Sequence, residues 1–282
     1  MTRFTIFSIG IIISFSLSSC NSRQSEEKKA ENRLLKIEQL ISENAYHAAK
    51  LEIDSVHALY PRLVDKRREA QVFMDTIVRR ESARTIIYRD SVLSQKRKEV
   101  TAMQHNFKFE KDEKYQEIGT FVHQALLTEA NVRRNYLKIY IDEHANFYLV
   151  SYYCGSKISH TQVVVSCDSF FAETSVVDTS NPSNYSFTND GQEWEMVTFE
   201  KEDAAKIAEF ITNYADKRIK ITLKGEKSDT YYLSERDKKA IVESCDFWAV
   251  IKEVVQSERE IKQATAKIEH IKQRYNKETS TN

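Results

Sequence analysis

The clearest hydrophobic pattern in the chain is a seven-residue repeat near the C-terminus. One position of the repeat is always apolar, in the series Phe247, Val254, Ile261, Ile268 and Tyr275. A second position, three residues further along in each repeat, is apolar or small, in the series Val250, Ser257, Ala264 and Ile271. This spacing predicts a long helix that packs along another helix. Ser234, followed three residues later by Asp237, resembles a capping box and predicts where that helix begins. We therefore predict that segment 234–282 is a long helix packing on the N-terminal helices.

An interrupted version of the same repeat runs through the N-terminal part of the chain. Its two series, separated by a one-residue phase shift, are Leu34, Ile37, Ile41, Asn44, Ala48, Leu51 and Val56, Leu59, Leu63, Ala70, Phe73, Ile77, Ile87. Pro61 at the shift predicts a kink or the first turn of a new helix. Lys66, Arg80 and Arg84 occupy the second seam and argue against an uninterrupted coiled coil. Segment 34–135 is predicted to be a helical or coiled-coil region.

The middle of the chain changes to an alternating pattern rich in aromatic and β-branched residues. Strands are predicted at the segments YLKIYID, FYLVSYYC, HTQVVVSC, FFAETSVV, EWEMVTF and RIKITLK. The first two flank a short polar turn and predict a hairpin, and RIKITLK alternates as a half-buried strand does. Asn189, Asp190 and Gly191 form a turn signal just before EWEMVTF. Segment 201–214 has the apolar face of an amphipathic helix. Segment 136–233 is therefore predicted to be an α+β domain.

These elements together predict an α+β fold class. Long helical or coiled-coil arms at both ends would enclose a small, mostly antiparallel β-sheet domain that contains one helix. Each arm has an apolar seam that needs a partner. The seams can pair within one chain, with a second copy, or with another protein, and the sequence leaves these alternatives open.

Composition narrows the classes of function. The chain has five glycines and two prolines among 282 residues, where average usage would give roughly twenty and fourteen. Scarce glycine argues against phosphate-binding loops and strained nucleophile turns. Basic and acidic residues number 42 each, so no global field favours nucleic acid. We therefore expect no nucleotide cofactor and no nucleic-acid partner.

The first twenty residues have the pattern of an export signal. Arg3 precedes an apolar run that is short and serine-rich for a membrane span. The following residues, Leu17, Ser18, Ser19 and Cys20, resemble the lipobox of bacterial lipoproteins. Ser19 departs mildly from the commoner Gly or Ala. The alternative is an ordinary signal peptide that ends beside an incidental cysteine.

The lipoprotein resemblance implies a place in the cell and a lipidation site. Residues 1–19 would be a lipoprotein signal peptide, and Cys20 would be the lipidated first residue of the mature chain. Diacylglyceryl attachment, usually with a third acyl chain, would anchor the protein stably. Asn21 is not the aspartate that retains enteric lipoproteins in the inner membrane, which favours the outer membrane of the cell envelope. Segment 20–33 would be a polar tether, and the periplasmic or surface side stays open.

Three cysteines remain in the predicted mature chain after Cys20. Cys154 and Cys167 are close enough in sequence for a disulfide in an oxidising compartment. Buried free thiols are the alternative, and Cys245 leaves an odd count. No pair has the spacing of a metal site, so we predict neither a metal nor another cofactor.

No catalytic constellation is evident in the sequence. His160 lies near two cysteines, but the segment lacks the carboxylate and glycine-rich turn that a nucleophile needs. We interpret His160 as a surface turn residue. Glu193 and Glu195 lie two apart on one strand, and we interpret them as the solvated face of an edge strand. The prediction is a non-enzymatic protein.

Aromatic residues are concentrated in the predicted β domain. Such rings could line a groove for a glycan or a peptide, and the candidate ligand contacts are Tyr152, Tyr153 and Trp194. Strand alternation suggests instead that most of these rings belong to a core. The sequence therefore favours a lipid-anchored, non-enzymatic envelope protein whose coiled-coil body presents a small interaction domain. An envelope module binding a glycan or peptide is the alternative.

Overall fold

A computed structural model describes residues 18–114 and 116–280, with side chains described for residues 23–114 and 116–277. The predicted leader, except for Ser18 and Ser19, and the side chain of Cys20 lie outside the described part. The structure mixes helix and sheet, with five α-helices and two antiparallel sheets within these residues. The helices are α1 Ser18–Ser42, α2 Tyr46–Leu59, α3 Val64–Met103, α4 Lys201–Asn213 and α5 Glu235–Ser280.

Ten strands follow the long helix α3. They are β1 Phe107–Glu110, β2 Thr120–His123, β3 Tyr136–Asp142, β4 Phe147–Gly155, β5 Gln162–Cys167, β6 Phe170–Glu173, β7 Asn184–Asn189, β8 Gln192–Glu200, β9 Lys220–Lys224 and β10 Ser228–Tyr232. A six-stranded sheet has the order β1-β2-β3-β4-β8-β7, and a four-stranded sheet has the order β10-β9-β5-β6. All neighbouring strands are antiparallel.

The chain divides into two compact units. The helical unit comprises the chain up to Ile87 together with the chain from Ile261 onward, and the β-rich unit comprises Tyr88–Glu260. Helices α3 and α5 each contribute to both units. The sheet structure begins at Phe107, so the prediction of a helical region up to residue 135 is wrong after Met103.

The helical unit has its own apolar core. Buried positions from α1, α2 and the first turns of α3 form it, and they include Leu34, Ile37, Ile41, Ile53, Val56, Ala70 and Ile77. The first predicted repeat is broken, because α1 ends at Ser42 and Asn44 has a φ of 60°. Asparagine tolerates this left-handed conformation well. As a result, Leu51 is exposed although the first repeat placed it on the seam. Leu59 of the second repeat is also exposed, at the last residue of α2.

Helix α5 begins as its cap predicts. The backbone N–H of Asp237 donates to Ser234 Oγ at 3.1 Å, which satisfies one of the free donors of the first turn. The small or apolar repeat positions Val250, Ser257, Ala264 and Ile271 are all buried. Within the helical unit, α5 contacts α3 through an ion pair between Arg274 and Asp75.

The core of the β-rich unit lies against one face of the six-stranded sheet, which we call the inner face. Buried residues of β3, β4 and β8 meet α4, α5 and the second sheet there, and they include Ile139, Leu149, Phe199, Ile207, Ile221 and Phe247. In β9 the predicted alternation is confirmed, because Ile221 and Leu223 are fully buried between exposed lysines. The β7–β8 hairpin turns through Asp190 and Gly191, which both have positive φ, as its turn sequence predicts.

Candidate functional site

The central strands β4 and β8 have two very different faces. On β4, the inner face presents Ser151 and Tyr153, and the opposite, outer face presents Tyr152 and Cys154. The strict alternation of side chains along a strand produces this separation. Each face contains a candidate site, and the two sites need separate tests.

The inner face contains a buried hydrogen-bonded cluster of Ser151, His160 and Glu195. Ser151 Oγ lies 3.0 Å from His160 Nε2, and His160 Nδ1 lies 2.6 Å from Glu195 Oε2. The serine and histidine are fully buried, and Glu195 is 2% exposed. The order serine, histidine, carboxylate is that of a hydrolase triad. Such a triad acts only where a substrate can reach the serine.

The carboxylate of Glu195 accepts four hydrogen bonds. Its Oε1 accepts from the backbone N–H groups of Ile158 and Ser159, at 2.8 Å each. Its Oε2 accepts from the backbone N–H and the ring of His160. Burial would raise the pKa of Glu195, but the bonds from His160, Ile158 and Ser159 outweigh it and lower this pKa to about 2. Glu195 is therefore ionised, and since a carboxylate only accepts, His160 Nδ1 bears the hydrogen.

Because the cluster is buried away from solvent, we interpret it as part of the structural core. No solvent-accessible surface reaches Ser151 or His160, whereas a nucleophile must meet its substrate. Three of the four donors to Glu195 are backbone groups of segment 158–160, and Ser159 has a φ of 52° there. The cluster thus fixes the connection from β4 to β5, which links the two sheets, in a conformation that a serine rarely adopts.

Two interpretations made from the sequence are wrong at this cluster. His160 is buried and is not a surface turn residue, and Glu195 lies on an interior strand and not on a solvated edge. The sequence does contain a signal that Glu195 is buried. Glu195 alternates in step with the apolar residues Val197 and Phe199, and so lies on the same side of β8. Ser151 likewise has the parity of Leu149. No local pattern marks His160, because it precedes its strand.

The outer face of the six-stranded sheet has an aromatic surface. Its accessible part, here called the aromatic face, consists of Tyr148, Tyr152, Tyr185, Phe187, Trp194 and Met196 on β4, β8 and β7. Rows of paired positions cross these strands, one through Tyr152, Met196 and Tyr185. A neighbouring row joins Cys154, Trp194 and Phe187. The face therefore presents several rings on one side of a sheet.

Stacked pairs hold these rings in place. Tyr152 stacks on Tyr136 with ring centroids 4.6 Å apart, and Trp194 is nearly parallel to Phe187 at 6.0 Å. Tyr148 stacks on Tyr140 of β3 at 4.5 Å. Tyr185 and Phe187 on the edge strand are 56% and 38% exposed. Such pairs favour a fixed ring arrangement over a mobile one.

The three ring residues proposed from the sequence do not share a surface. Tyr152 and Trp194 both belong to the aromatic face. Tyr153 is 6% exposed and points into the core, where its hydroxyl donates to the carbonyl of Ser156 at 2.8 Å. Tyr185 and Phe187, which are not among the candidate contacts, lie on β7, a strand that the sequence patterns do not predict.

The disulfide considered between Cys154 and Cys167 is not formed. Cys154, Cys167 and Cys245 are all free thiols. Cys154 lies on β4 of the six-stranded sheet, whereas Cys167 lies on β5 of the other sheet and is buried in the core. Burial raises the pKa of each of these three thiols, which disfavours the reactive thiolate form.

The described residues contain neither a group of potential metal ligands nor a helix that could span a membrane. Across residues 23–114 and 116–277, no three His, Cys, Asp or Glu side chains are grouped so that they could hold a metal ion. In the same part of the chain, no helix has the length and apolarity to cross a bilayer. Comparison with known proteins found no matching family model, no matching curated protein and no matching solved structure.

Proposed function

We propose that this protein is a lipid-anchored, non-enzymatic binding protein of the cell envelope, and that the aromatic face contacts a glycan chain. The observation that supports the binding role is the row of stacked rings across β4, β8 and β7. Tyr185 and Phe187 on β7 are exposed, and the rings on β4 and β8 are half-buried. Monomeric proteins rarely expose contiguous apolar surface without a binding use. The lipobox-like residues Leu17 to Cys20 support the anchor.

In this proposal, the N-terminal part of the helical unit follows the lipid anchor along the chain and precedes the strands that form the binding face. The buried seam positions of this unit on α5, Ala264 and Ile271, are small or apolar, which is compatible with coiled-coil packing in which helices approach closely. The prediction of a polar tether over segment 20–33 is wrong in part, because this segment is helical within α1 and Ala30 is buried in the core of the helical unit. The residues before Ala30 would connect the helical unit to the lipid on Cys20. Outer-membrane attachment follows from the identity of Asn21 and belongs to the same proposal.

A glycan fits the aromatic face better than a compact apolar ligand does. The face is part of a sheet, and its rings would stack on the apolar faces of sugar rings. Polar side chains share this side of the sheet at its margins, because Thr198 and Glu200 alternate with the buried residues of β8, and Gln192 lies beside the turn. Such groups orient a ligand that the rings hold.

A binding experiment tests the aromatic face. Trp194→Ala and Tyr152→Ala should each lower the affinity for soluble cell-wall glycan fragments at least ~10-fold, equivalent to about 1.4 kcal/mol. Isothermal titration calorimetry, guided by a glycan array, would measure this. The matched control is Phe171→Ala, which removes an aromatic ring 65% exposed on the other sheet. Binding that is absent, or equally sensitive to Phe171→Ala, would contradict the proposal, and binding of peptides alone would replace the glycan.

A labelling experiment tests the anchor independently. The full-length chain, expressed in a bacterium supplied with labelled palmitate, should incorporate label at Cys20. Cys20→Ala should abolish incorporation, whereas Cys154→Ala should leave it unchanged because that cysteine lies within a folded strand. Equal labelling of the unmodified and Cys20→Ala chains would exclude lipidation at this residue.

A further inference from the structure

The edge strand β7 differs from the other three sheet edges. A strand at the edge of a sheet has unpaired backbone N–H and C=O groups, and proteins usually protect such edges with charges, proline, bulges or very short strands. The edges β1 and β6 have only four residues each and contain charged side chains, Lys108 and Glu110 in β1 and Glu173 in β6. The edge β10 contains Asp229. Each of these three edges therefore has a feature that discourages pairing.

Strand β7 has none of those protections. Its sequence, NYSFTN, contains no charged residue and no proline over six residues. Positions 185–189 are all exposed, including the rings of Tyr185 and Phe187. An uncharged, exposed and regular edge strand is a template for pairing with another strand.

The strand is also held rigidly in place. At its start, the side-chain amide of Asn184 donates to the carbonyls of His160 and Val177, at 3.1 Å each. Near its end, Thr188 donates through its hydroxyl to Glu193 at 2.8 Å. A preorganised edge loses little conformational entropy when a further strand is added.

The backbone of β7 offers its free groups at alternate residues. The two-residue turn through Asp190 and Gly191 makes Asn189 and Gln192 the closing pair of the hairpin. Hydrogen-bonding direction alternates along an antiparallel ladder. The backbone N–H and C=O groups of Ser186 and Thr188 therefore point away from β8.

We propose that β7 pairs antiparallel with β7 of a second copy of this chain, about a twofold axis at Ser186. In this register Ser186 faces Ser186, and Tyr185 of one copy faces Phe187 of the other, on the side of the aromatic face. The absence of charge in β7 removes the like-charge repulsion that would oppose self-pairing. The pairing places the two most exposed rings of one aromatic face, Tyr185 and Phe187, beside those of the other.

The consequence of the pairing is a continuous sheet of twelve strands. The aromatic faces of the two copies would then meet at the twofold axis and form one longer platform for an extended polymer. Only a few residues of each strand pair, so the interface belongs to the small, reversible class. The pairing requires no ligand, so it can fail while the proposed glycan binding holds, and the reverse is equally true.

Light scattering on the chain from residue 20 onward, which retains both units, tests the pairing. The weight-average mass should rise with concentration from one chain toward two. Ser186→Lys and Ser186→Glu should each keep the mass at one chain, because identical charges would face each other at the axis. An equimolar mixture of the two variants should recover the double mass, since opposite charges then face each other.

Two further variants separate this interface from alternatives. Ser186→Pro removes an outward N–H without disturbing the pairing to β8, and it should also give single chains. Thr230→Lys, on the exposed edge β10, should dimerise as the unmodified chain does. Circular dichroism verifies that each variant is folded. The proposal is overturned by single chains up to ~0.5 mM, which exclude a dissociation constant below about 1 mM. It is also overturned by a dimer that is insensitive to the Ser186 variants, or by a mixture of the two charged variants that stays monomeric.

Discussion

The two faces of β4 and β8 use the same backbone for opposite purposes. The inner face combines Ser151, His160 and Glu195 in the geometry of a catalytic triad, yet solvent does not reach the serine or the histidine. The outer face presents exposed rings without a comparable polar cluster. Side-chain geometry by itself therefore does not identify a reactive site, because a nucleophile also needs access. In this protein the polar cluster stabilises the fold, and the apolar face is the candidate for contact.

Adjacent tyrosines on β4 provide the strongest test of this contrast. Tyr153→Ala should lower the free energy of unfolding by about 4 kcal/mol, because it removes a buried ring and leaves a cavity. Tyr152→Ala should cost about 1 kcal/mol, since it loses mainly a stacked cross-strand pair. Urea unfolding followed by circular dichroism would measure both. Equal losses would show that the two faces are equally part of the core.

Replacement of the buried carboxylate should have the next largest effect. In Glu195→Gln, either orientation of the amide places an NH2 group against two N–H donors, so we expect a loss of about 3 kcal/mol in unfolding free energy. Glu193→Gln, two residues earlier on β8 and bonded to Thr188, is the matched control and should change stability by less than about 1 kcal/mol. If Glu193→Gln were as damaging, the cluster would have no special role.

The depressed pKa of Glu195 predicts an acid-sensitive contribution to stability. The folded-state pKa of about 2 lies below the ordinary 4.5, so the contribution is fully present above about pH 4.5 and is lost as the pH falls toward 2. Its size is about 3 kcal/mol, from the difference between the two pKa values. Chemical unfolding of the unmodified chain and of Glu195→Gln at several pH values would measure it. The stability difference between the two chains should shrink across that window, and a constant difference would contradict the assignment.

The smallest expected effect belongs to Ser151→Ala. Its hydroxyl has one partner in the cluster, His160, so we expect a loss of about 1–2 kcal/mol in unfolding free energy. Glycan affinity should be unchanged, because Ser151 lies on the face opposite Tyr152. A broad panel of esters and peptides should show no hydrolysis that disappears in Ser151→Ala. Any such serine-dependent activity would mean that the cluster opens to substrate.

Local sequence patterns predicted many individual elements correctly. The cap at Ser234, the hairpin of β3 and β4, the turn before β8 and the alternation of β9 depend on neighbouring residues, which is why a single sequence contains them. The sequence patterns do not predict the strands β1, β2, β7 and β10, because these segments of four to six residues are too short to show a clear alternation and are ordered by the strands beside them. The helical repeat failed at Asn44, where a left-handed residue ended α1.

For the candidate sites, the sequence by itself determined which side of each strand a residue occupies. Parity alone places Tyr152 opposite Ser151 on β4 and Trp194 opposite Glu195 on β8. Only the tertiary structure decided which strands lie side by side, and it placed β8 beside β4 and segment 158–160 against both. The physical reason is that side-chain alternation is a local property of the backbone, whereas strand order depends on burying apolar surface from distant segments. Thus the local alternation was set by the sequence, whereas folding brought the rings together as the aromatic face and enclosed Glu195 in a buried cluster with Ser151 and His160.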